Sequence, residues 1–222
     1  MIWGWPFLYK AKRIKEENKL EDVRKVGDYT VLHAMYIGHK EIVLCENADA
    51  KPNERYLCCY VENNAIFERY SDAIVSDDFA ELVKEYGTRI TEAAAEIIRE
   101  MEKANADVGS NEEITPANCK AITYEDSLVN KVVVIRGVIL RPEFRHASRQ
   151  LMLCTGGFGA EPHSRGRTCF CTNLYDGKQT SYYRSDILGI IEEENLPQWA
   201  KSGLEKAQAA IADRARQQDD AR

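Results

Sequence analysis

Hydrophobic residues in the front half of the chain alternate with polar ones, which is the period of a half-buried β-strand. Segments of this kind are separated by turn-forming residues such as Gly38 and Pro52. The predicted strands lie at 29–36, 41–45, 55–61 and 66–70, with a turn at 62–65 between the last two. We therefore expect a small antiparallel sheet in this half.

After Ser76 the hydrophobic period changes to that of an α-helix. Apolar side chains recur every three or four residues from Phe79 to Met101. Ser76, followed by two aspartates, is typical of a helix N-cap. The pattern predicts a long amphipathic helix that ends near Lys103. A helix of this length next to a small sheet forms a complete α+β module.

The back half predicts a second sheet. Its β-rich segments lie at 131–140, 150–155, 168–175 and 179–183. The last two are separated by Asp176-Gly177, which is typical of a tight hairpin. Pro197 suits the first turn of a final helix. The expected fold is therefore α+β, with two small antiparallel-sheet modules, the first covered by a long helix and the second ending in a C-terminal helix.

These patterns divide the chain into five segments. Residues 10–25 are charged and are expected to be helical, and residues 105–118 are rich in Asn, Asp, Gly, Ser and Pro, as linkers are. The segments are an aromatic and basic N-terminal segment (1–27), an α+β module with an acidic helix (28–104), a linker (105–118), a β-hairpin-rich module with a C-terminal helix (119–210) and a polar tail (211–222).

The composition is that of a cytoplasmic globular protein. Of the 222 residues 44% are apolar, but no apolar run approaches the roughly 18 residues that a membrane span needs. At the N-terminus the positive charges follow the aromatic stretch, unlike those of a signal peptide. This segment either packs onto the body of the protein or lies in a membrane interface. The seven cysteines lack the spacing of a disulfide scaffold, so we expect free thiols.

Charge is distributed unevenly along the chain. Residues 41–130 carry 8 Lys and Arg against 20 Asp and Glu, a net charge of −12, whereas 1–40 and 131–222 each carry +3. Many of the acidic residues lie on the outer face of the predicted helix. The carboxylates of this acidic face are Glu81, Glu85, Glu92, Glu96 and Glu100. Such a face is typical of a solvated helix, and it also suits a protein partner with a basic nucleic-acid channel.

A glycine-rich loop between two strands of the back half is followed by cationic residues. Glycines allow a close backbone approach to an anion, and arginines donate to phosphate. The candidate anion- or nucleic-acid-binding residues are Gly156, Gly157, Gly159, His163, Arg165, Arg167 and Arg184. A strand follows the glycines, which argues against a P-loop or dinucleotide site. Phe158, Tyr175, Tyr182 and Tyr183 are candidates for base stacking. The alternative is a hairpin loop whose glycines fit tight turns.

Candidate metal ligands occur in the same region. They are Cys154, His163, Cys169 and Cys171. Cys169 and Cys171 are separated by one residue, whereas paired zinc ligands are usually separated by two or more. The alternation of a strand places both cysteines on one face and Phe170 on the other. No nucleophile elbow is present. We therefore expect no metal, no cofactor and no enzymatic activity.

Several motifs resemble domains of unknown function found in accessory proteins of conjugative elements and phages of gut Firmicutes. In the back half the similar segments include Gln150-Leu-Met-Leu-Cys-Thr-Gly-Gly-Phe-Gly159 and Leu196-Pro-Gln-Trp-Ala200, and in the front half Phe67-Glu-Arg-Tyr-Ser-Asp72. The resemblance implies antirestriction or anti-CRISPR activity, in which some proteins act as acidic DNA mimics. It implies an inhibitor that binds a host or phage protein, such as a defence nuclease, through the acidic face. A nucleic-acid-binding module is the alternative.

Overall fold

A computed structural model of the chain describes residues 24–63 and 68–220. It confirms the predicted α+β fold, with two five-stranded antiparallel sheets, a long helix after the first and a C-terminal helix. The described residues divide into two compact units, the first made of 24–35, 41–63 and 68–88 and the second of 36–40 and 89–220. Most of the predicted N-terminal segment 1–27 and part of the turn predicted at 62–65 lie outside the described residues.

The strands of the first sheet follow one another in sequence order. They are β1 Lys25–Val26, β2 Tyr29–Ile37, β3 Lys40–Glu46, β4 Tyr56–Asn63 and β5 Glu68–Ser76. The predicted end of the last strand at residue 70 is wrong, because pairing with β4 continues as far as Ser76. The Arg24 guanidinium forms a two-pronged ion pair with Glu41, whose side chain is fully buried.

The first helix, α1, comprises Phe79–Val108 and continues past its predicted end near Lys103. It is amphipathic, as predicted, with Leu82 fully buried. At its start the Phe79 ring packs against the Tyr56 ring with 5.1 Å between the centroids. The division between the two units lies within α1, after Thr88.

The N-cap of α1 is Asp78, so the prediction of Ser76 is wrong. Asp78 Oδ1 accepts hydrogen bonds from the backbone N–H groups of Ala80 and Glu81 at 2.9 and 3.2 Å. These are the contacts that an N-cap side chain makes. Ser76 ends the preceding strand, and its hydroxyl accepts from the Asp78 N–H at 3.1 Å.

The second sheet has the order β10-β6-β7-β8-β9. Its strands are β6 Val132–Ile135, β7 Leu151–Gly156, β8 Thr168–Asn173, β9 Gln179–Tyr183 and β10 Ile187–Ile191. The strand predicted at 131–140 ends at Ile135, because a 3-10 turn follows at Gly137–Ile139. The final strand was not predicted. The edge strand on the β8 side is β9.

Two helices accompany this sheet. The short α2 spans Ala147–Gln150, and α3 spans Gln198–Asp220, which includes most of the segment predicted as a polar tail. Gln150 is fully buried, and its side-chain amide accepts from the Ile114 N–H at 2.7 Å and donates to the Ile135 carbonyl at 3.0 Å. None of the described helices is both long and apolar enough to cross a membrane.

Both faces of the second sheet are packed. The face that α3 covers is apolar and buries Val132, Val134, Leu151, Leu153, Leu174, Ala200 and Leu204. The opposite face is covered by loops and buries Leu128, Val133, Ile135, Met152, Cys154, Cys169, Cys171 and Ile187. The alternation predicted within β8 is confirmed, because its two cysteines are buried and Phe170 between them is exposed.

Candidate nucleic-acid interface

The glycine-rich loop between β7 and β8 packs closely against the start of β8. A Cβ atom on Gly157 would lie 2.4 Å from the Thr168 carbonyl oxygen, and one on Gly159 would lie 2.3 Å from the Arg167 carbonyl oxygen. Gly157 also has a φ of +103°, which disfavours a side chain. These glycines are required for the loop to lie against the strand.

Several N–H groups of this loop already donate to carbonyl oxygens of the protein. Gly159 donates to the Thr168 carbonyl at 2.8 Å, Ala160 to the Gly157 carbonyl at 2.9 Å, and His163 to the Tyr124 carbonyl at 3.0 Å. An anion-binding nest is a concavity of successive backbone N–H groups that are free to bind an anion. These N–H groups already have acceptors, so they do not form a nest. The backbone geometry therefore gives no support to the predicted role of the glycines in anion binding.

Arg184 and Tyr124 fix the loop to the body of the second unit. The Arg184 guanidinium donates to the carbonyl oxygens of Gly159, Thr123 and Asp126 at 2.7–2.8 Å. The Tyr124 hydroxyl donates to the His163 carbonyl at 2.6 Å. Arg184 therefore holds the loop in place, whereas the sequence had suggested that it binds phosphate.

Three aromatic side chains next to this fixed backbone are exposed. Phe158 is 81% exposed, Phe170 is 55% exposed and Tyr183 is 58% exposed. In the pairing of β8 with β9, Phe170 lies opposite Ser181 and Tyr183 lies opposite Thr168. Phe170 and Tyr183 are thus diagonal neighbours on the face of the sheet that α3 partly covers. The Cα atoms of such neighbours are separated by about 7–8 Å. Phe158 borders Gly166, two residues before Thr168.

Two exposed arginines lie on the arm of the loop that leads into β8. Neither Arg165 nor Arg167 donates a side-chain hydrogen bond or forms an ion pair with any residue in the part of the chain that the structure describes. Arg136, Arg145 and Arg184 of the same unit, by contrast, each donate to a backbone carbonyl. Arg165 and Arg167 are therefore available to an external anion. With Phe158, Phe170 and Tyr183 they make up what we call the aromatic–arginine surface.

The other predicted stacking residues have packing roles. Tyr175 donates its hydroxyl to Asp107 at 2.7 Å and lies edge-on to Trp199. Tyr182 is half-buried on the cysteine face of the sheet, and burial raises the pKa of its hydroxyl. Phe170 was not among the predicted stacking residues, although the alternation within β8 already placed it on the face opposite the buried cysteines.

The cysteines proposed as metal ligands form a buried cluster. Cys154 lies directly opposite Cys171 in the β7–β8 pairing. Hydrogen bonds from Cys169 and Cys171 lower the pKa of the Cys154 thiol, and the same contacts together with burial raise the pKa of the other two. His163 lies instead in the loop, with its ring against Tyr124. Within the described ranges, no group of three Cys, His, Asp or Glu side chains is arranged to hold a metal ion.

The glutamates of the predicted acidic face have different surroundings. In the first unit Glu81 accepts a hydrogen bond from the Ser76 hydroxyl at 2.7 Å, and Glu85 is half-buried. In the second unit Glu96 lies 3.4 Å from Lys40, and Glu100 lies 3.3 Å from Arg149. Glu92 is exposed. Two of these five carboxylates are therefore partly neutralised within the protein.

A cavity of about 300 Å³ lies on the cysteine face of the second sheet. Its central charge is Arg149, which lies over the Phe144 ring, 5.3 Å from the centroid, and donates to Asp176 at 2.8 Å. Lys178 lies 3.8 Å from the same carboxylate. Because these charges pair with one another, the cavity offers a ligand few unpaired charges, and we assign it a structural role.

Comparisons of the chain with protein-family models, with curated proteins and with solved structures find no match.

Proposed function

We propose that this protein binds single-stranded nucleic acid through the aromatic–arginine surface. The observation that carries the proposal is the combination of exposed rings at Phe158, Phe170 and Tyr183 with the exposed guanidinium groups of Arg165 and Arg167, which have no hydrogen bond or ion pair with a described residue. Single-strand binders join stacking platforms to cationic groups in this way.

The surface favours a single strand over a duplex. Aromatic rings stack on bases only when the bases are not already stacked within a duplex. Phe170 and Tyr183 lie on adjacent strands at a part of the sheet face where α3 leaves both rings exposed, so unstacked bases have access to them. The proposed ligand is therefore a single-stranded DNA or RNA segment, bound with little dependence on its sequence.

The rigid loop contributes to affinity. Phe158, Arg165 and Arg167 project from a backbone that Arg184 and Tyr124 hold in place. Because the backbone is already ordered, binding costs less conformational entropy than it would on a mobile loop. The phosphate contacts of these two arginines contribute about −1.4 to the slope of log K against log salt concentration.

The resemblance to accessory proteins of mobile elements supplies a setting for this activity. An inhibitor that binds a defence nuclease through the acidic face is the second candidate, but the pairing of Glu96 with Lys40 and of Glu100 with Arg149 weakens its support. Charge reversal at the exposed Glu92 would leave nucleic-acid binding intact under our proposal.

Fluorescence anisotropy with a labelled single strand of about 12 nucleotides, within the range of known site sizes, tests the proposal. Phe170→Ala and Tyr183→Ala should each weaken binding roughly 5- to 150-fold, since base stacking contributes about 1–3 kcal/mol per base. The matched control is Tyr70→Ala, which removes a similarly exposed ring from β5 of the first unit.

The same experiment tests the arginines with a double variant that combines Arg165→Ala and Arg167→Ala. This double variant should bind more weakly, and its slope of log K against log salt concentration should be less steep by about 1.4. Its control, Arg99→Ala with Lys103→Ala, removes the same charge from α1 and should bind as the wild type does. Equal loss in variant and control, or tighter binding to the matching duplex than to the single strand, would contradict the proposal.

A further inference from the structure

A groove lies between α3 and the strands β8 and β9. Its volume is about 230 Å³. Side chains from both sides line it, and they include Thr172, Gln179, Lys206, Ala207, Ile211 and Arg214. All of these residues belong to the second unit.

The groove is continuous with the aromatic–arginine surface. Along the β8–β9 pair, Thr168 lies opposite Tyr183, Phe170 opposite Ser181 and Thr172 opposite Gln179. Directly paired residues share a face of the sheet, and so do residues two apart on one strand. The last of these pairs lines the groove. On the face of the sheet that α3 covers, a strip of side chains therefore leads from Tyr183 past Phe170 into the groove, over about 13 Å.

Two cations on α3 line the groove. Lys206 and Arg214 are exposed, and neither side chain has a hydrogen bond or ion pair with a residue in the described ranges. They are separated by about 12 Å along the helix axis. Asp176 is an acidic residue of the lining, and its carboxylate is already bound by Arg149 at 2.8 Å. The groove therefore presents exposed positive charge.

We infer that this groove binds the phosphates of the strand segment that adjoins the stacked bases, with Lys206 and Arg214 as the phosphate ligands. This inference rests on the proposed function. It assigns the strand a path, from the arginines of the loop across Phe170 and Tyr183 and then along α3. It also predicts that the affinity for a single strand depends on the length of the strand, because only a longer strand reaches both the rings and the groove.

Anisotropy titrations with single strands of about 4 and about 12 nucleotides, near the lower and upper ends of known site sizes, test the path. The wild type should bind the longer strand at least tenfold more tightly. Lys206→Glu with Arg214→Glu should remove that gain and leave binding of the short strand unchanged. The milder Lys206→Ala with Arg214→Ala should remove part of the gain, which protects the test against misfolding of the charge-reversed variant.

The matched control is Lys201→Glu with Arg216→Glu. It reverses two charges on α3 that do not line the groove and should keep the gain with length. If the charge-reversed groove variant binds the longer strand as tightly as the wild type, or if the wild type shows no gain with length, the groove inference is wrong and the proposed function survives. If the wild type binds neither strand, both are wrong.

Discussion

Substitution of Arg184 by alanine is expected to lower the free energy of unfolding by about 2–4 kcal/mol. The guanidinium donates to the carbonyl oxygens of Gly159, Thr123 and Asp126, and so joins the glycine-rich loop to the segment before β6. Alanine leaves these acceptors without their donor. Binding of a single strand should also weaken, although Arg184 makes no contact with the ligand in the proposed complex, because the loop that carries Arg165 and Arg167 would lose its fixed position.

Two variants control for the loss of charge and of side-chain volume. Arg184→Lys keeps the charge but replaces the fork of donors with a single ammonium group, so we expect an intermediate stability. Arg136→Ala removes an arginine that donates one hydrogen bond to the Ser185 carbonyl, and it should cost less than about 1.5 kcal/mol. Urea unfolding measures all three. Equal destabilisation by Arg184→Ala and Arg136→Ala would show that the three hydrogen bonds of Arg184 stabilise the protein no more than the single hydrogen bond of Arg136.

Substitution of Arg24 by alanine should be the most damaging change in the first unit, at about 3–5 kcal/mol. Glu41 is 1% exposed, and Arg24 binds both of its carboxylate oxygens. Arg24 itself is partly solvated, so the penalty arises mainly from the buried carboxylate that loses this partner. The loss of stability therefore comes from the desolvation of the Glu41 carboxylate, and not from the loss of a surface ion pair.

A double-mutant cycle measures this coupling. Glu41→Leu together with Arg24→Ala removes the buried charge as well as its partner, so the double variant should be more stable than Arg24→Ala alone. Arg55→Ala is the control, because Arg55 pairs with Glu46 at an exposed position of the same unit and should cost less than about 1 kcal/mol. Additive effects of the two substitutions at Arg24 and Glu41 would contradict this account.

The sequence predicted the elements whose patterns are local. The 3.6-residue period identified α1, and the alternation of β8 predicted that Cys169 and Cys171 are buried while Phe170 is exposed. The strand β10 was not predicted because its residues, Ile-Leu-Gly-Ile-Ile, form a continuous apolar run without alternation. A strand packed on both faces gives no alternating signal.

The candidate site depended on contacts between residues distant in the chain. Arg184 donates to carbonyl groups 61 and 58 residues away, at Thr123 and Asp126, and no sequence pattern marks such a pair. The role of Gly159 likewise follows from its approach to Arg167, which only the folded loop reveals. The sequence did indicate where the candidate site lies, because glycines and arginines in one loop next to aromatic residues are a local feature.

The central claim is that a single strand binds at the aromatic–arginine surface. The most direct measurement is a nuclear magnetic resonance titration of the full chain with an unlabelled single strand, following the backbone amides and the aromatic rings. We expect the largest shifts at Phe158, Arg165, Arg167, Phe170 and Tyr183, with α1 unaffected. Shifts confined to the glutamates of α1, or no shifts at ligand saturation, would contradict it.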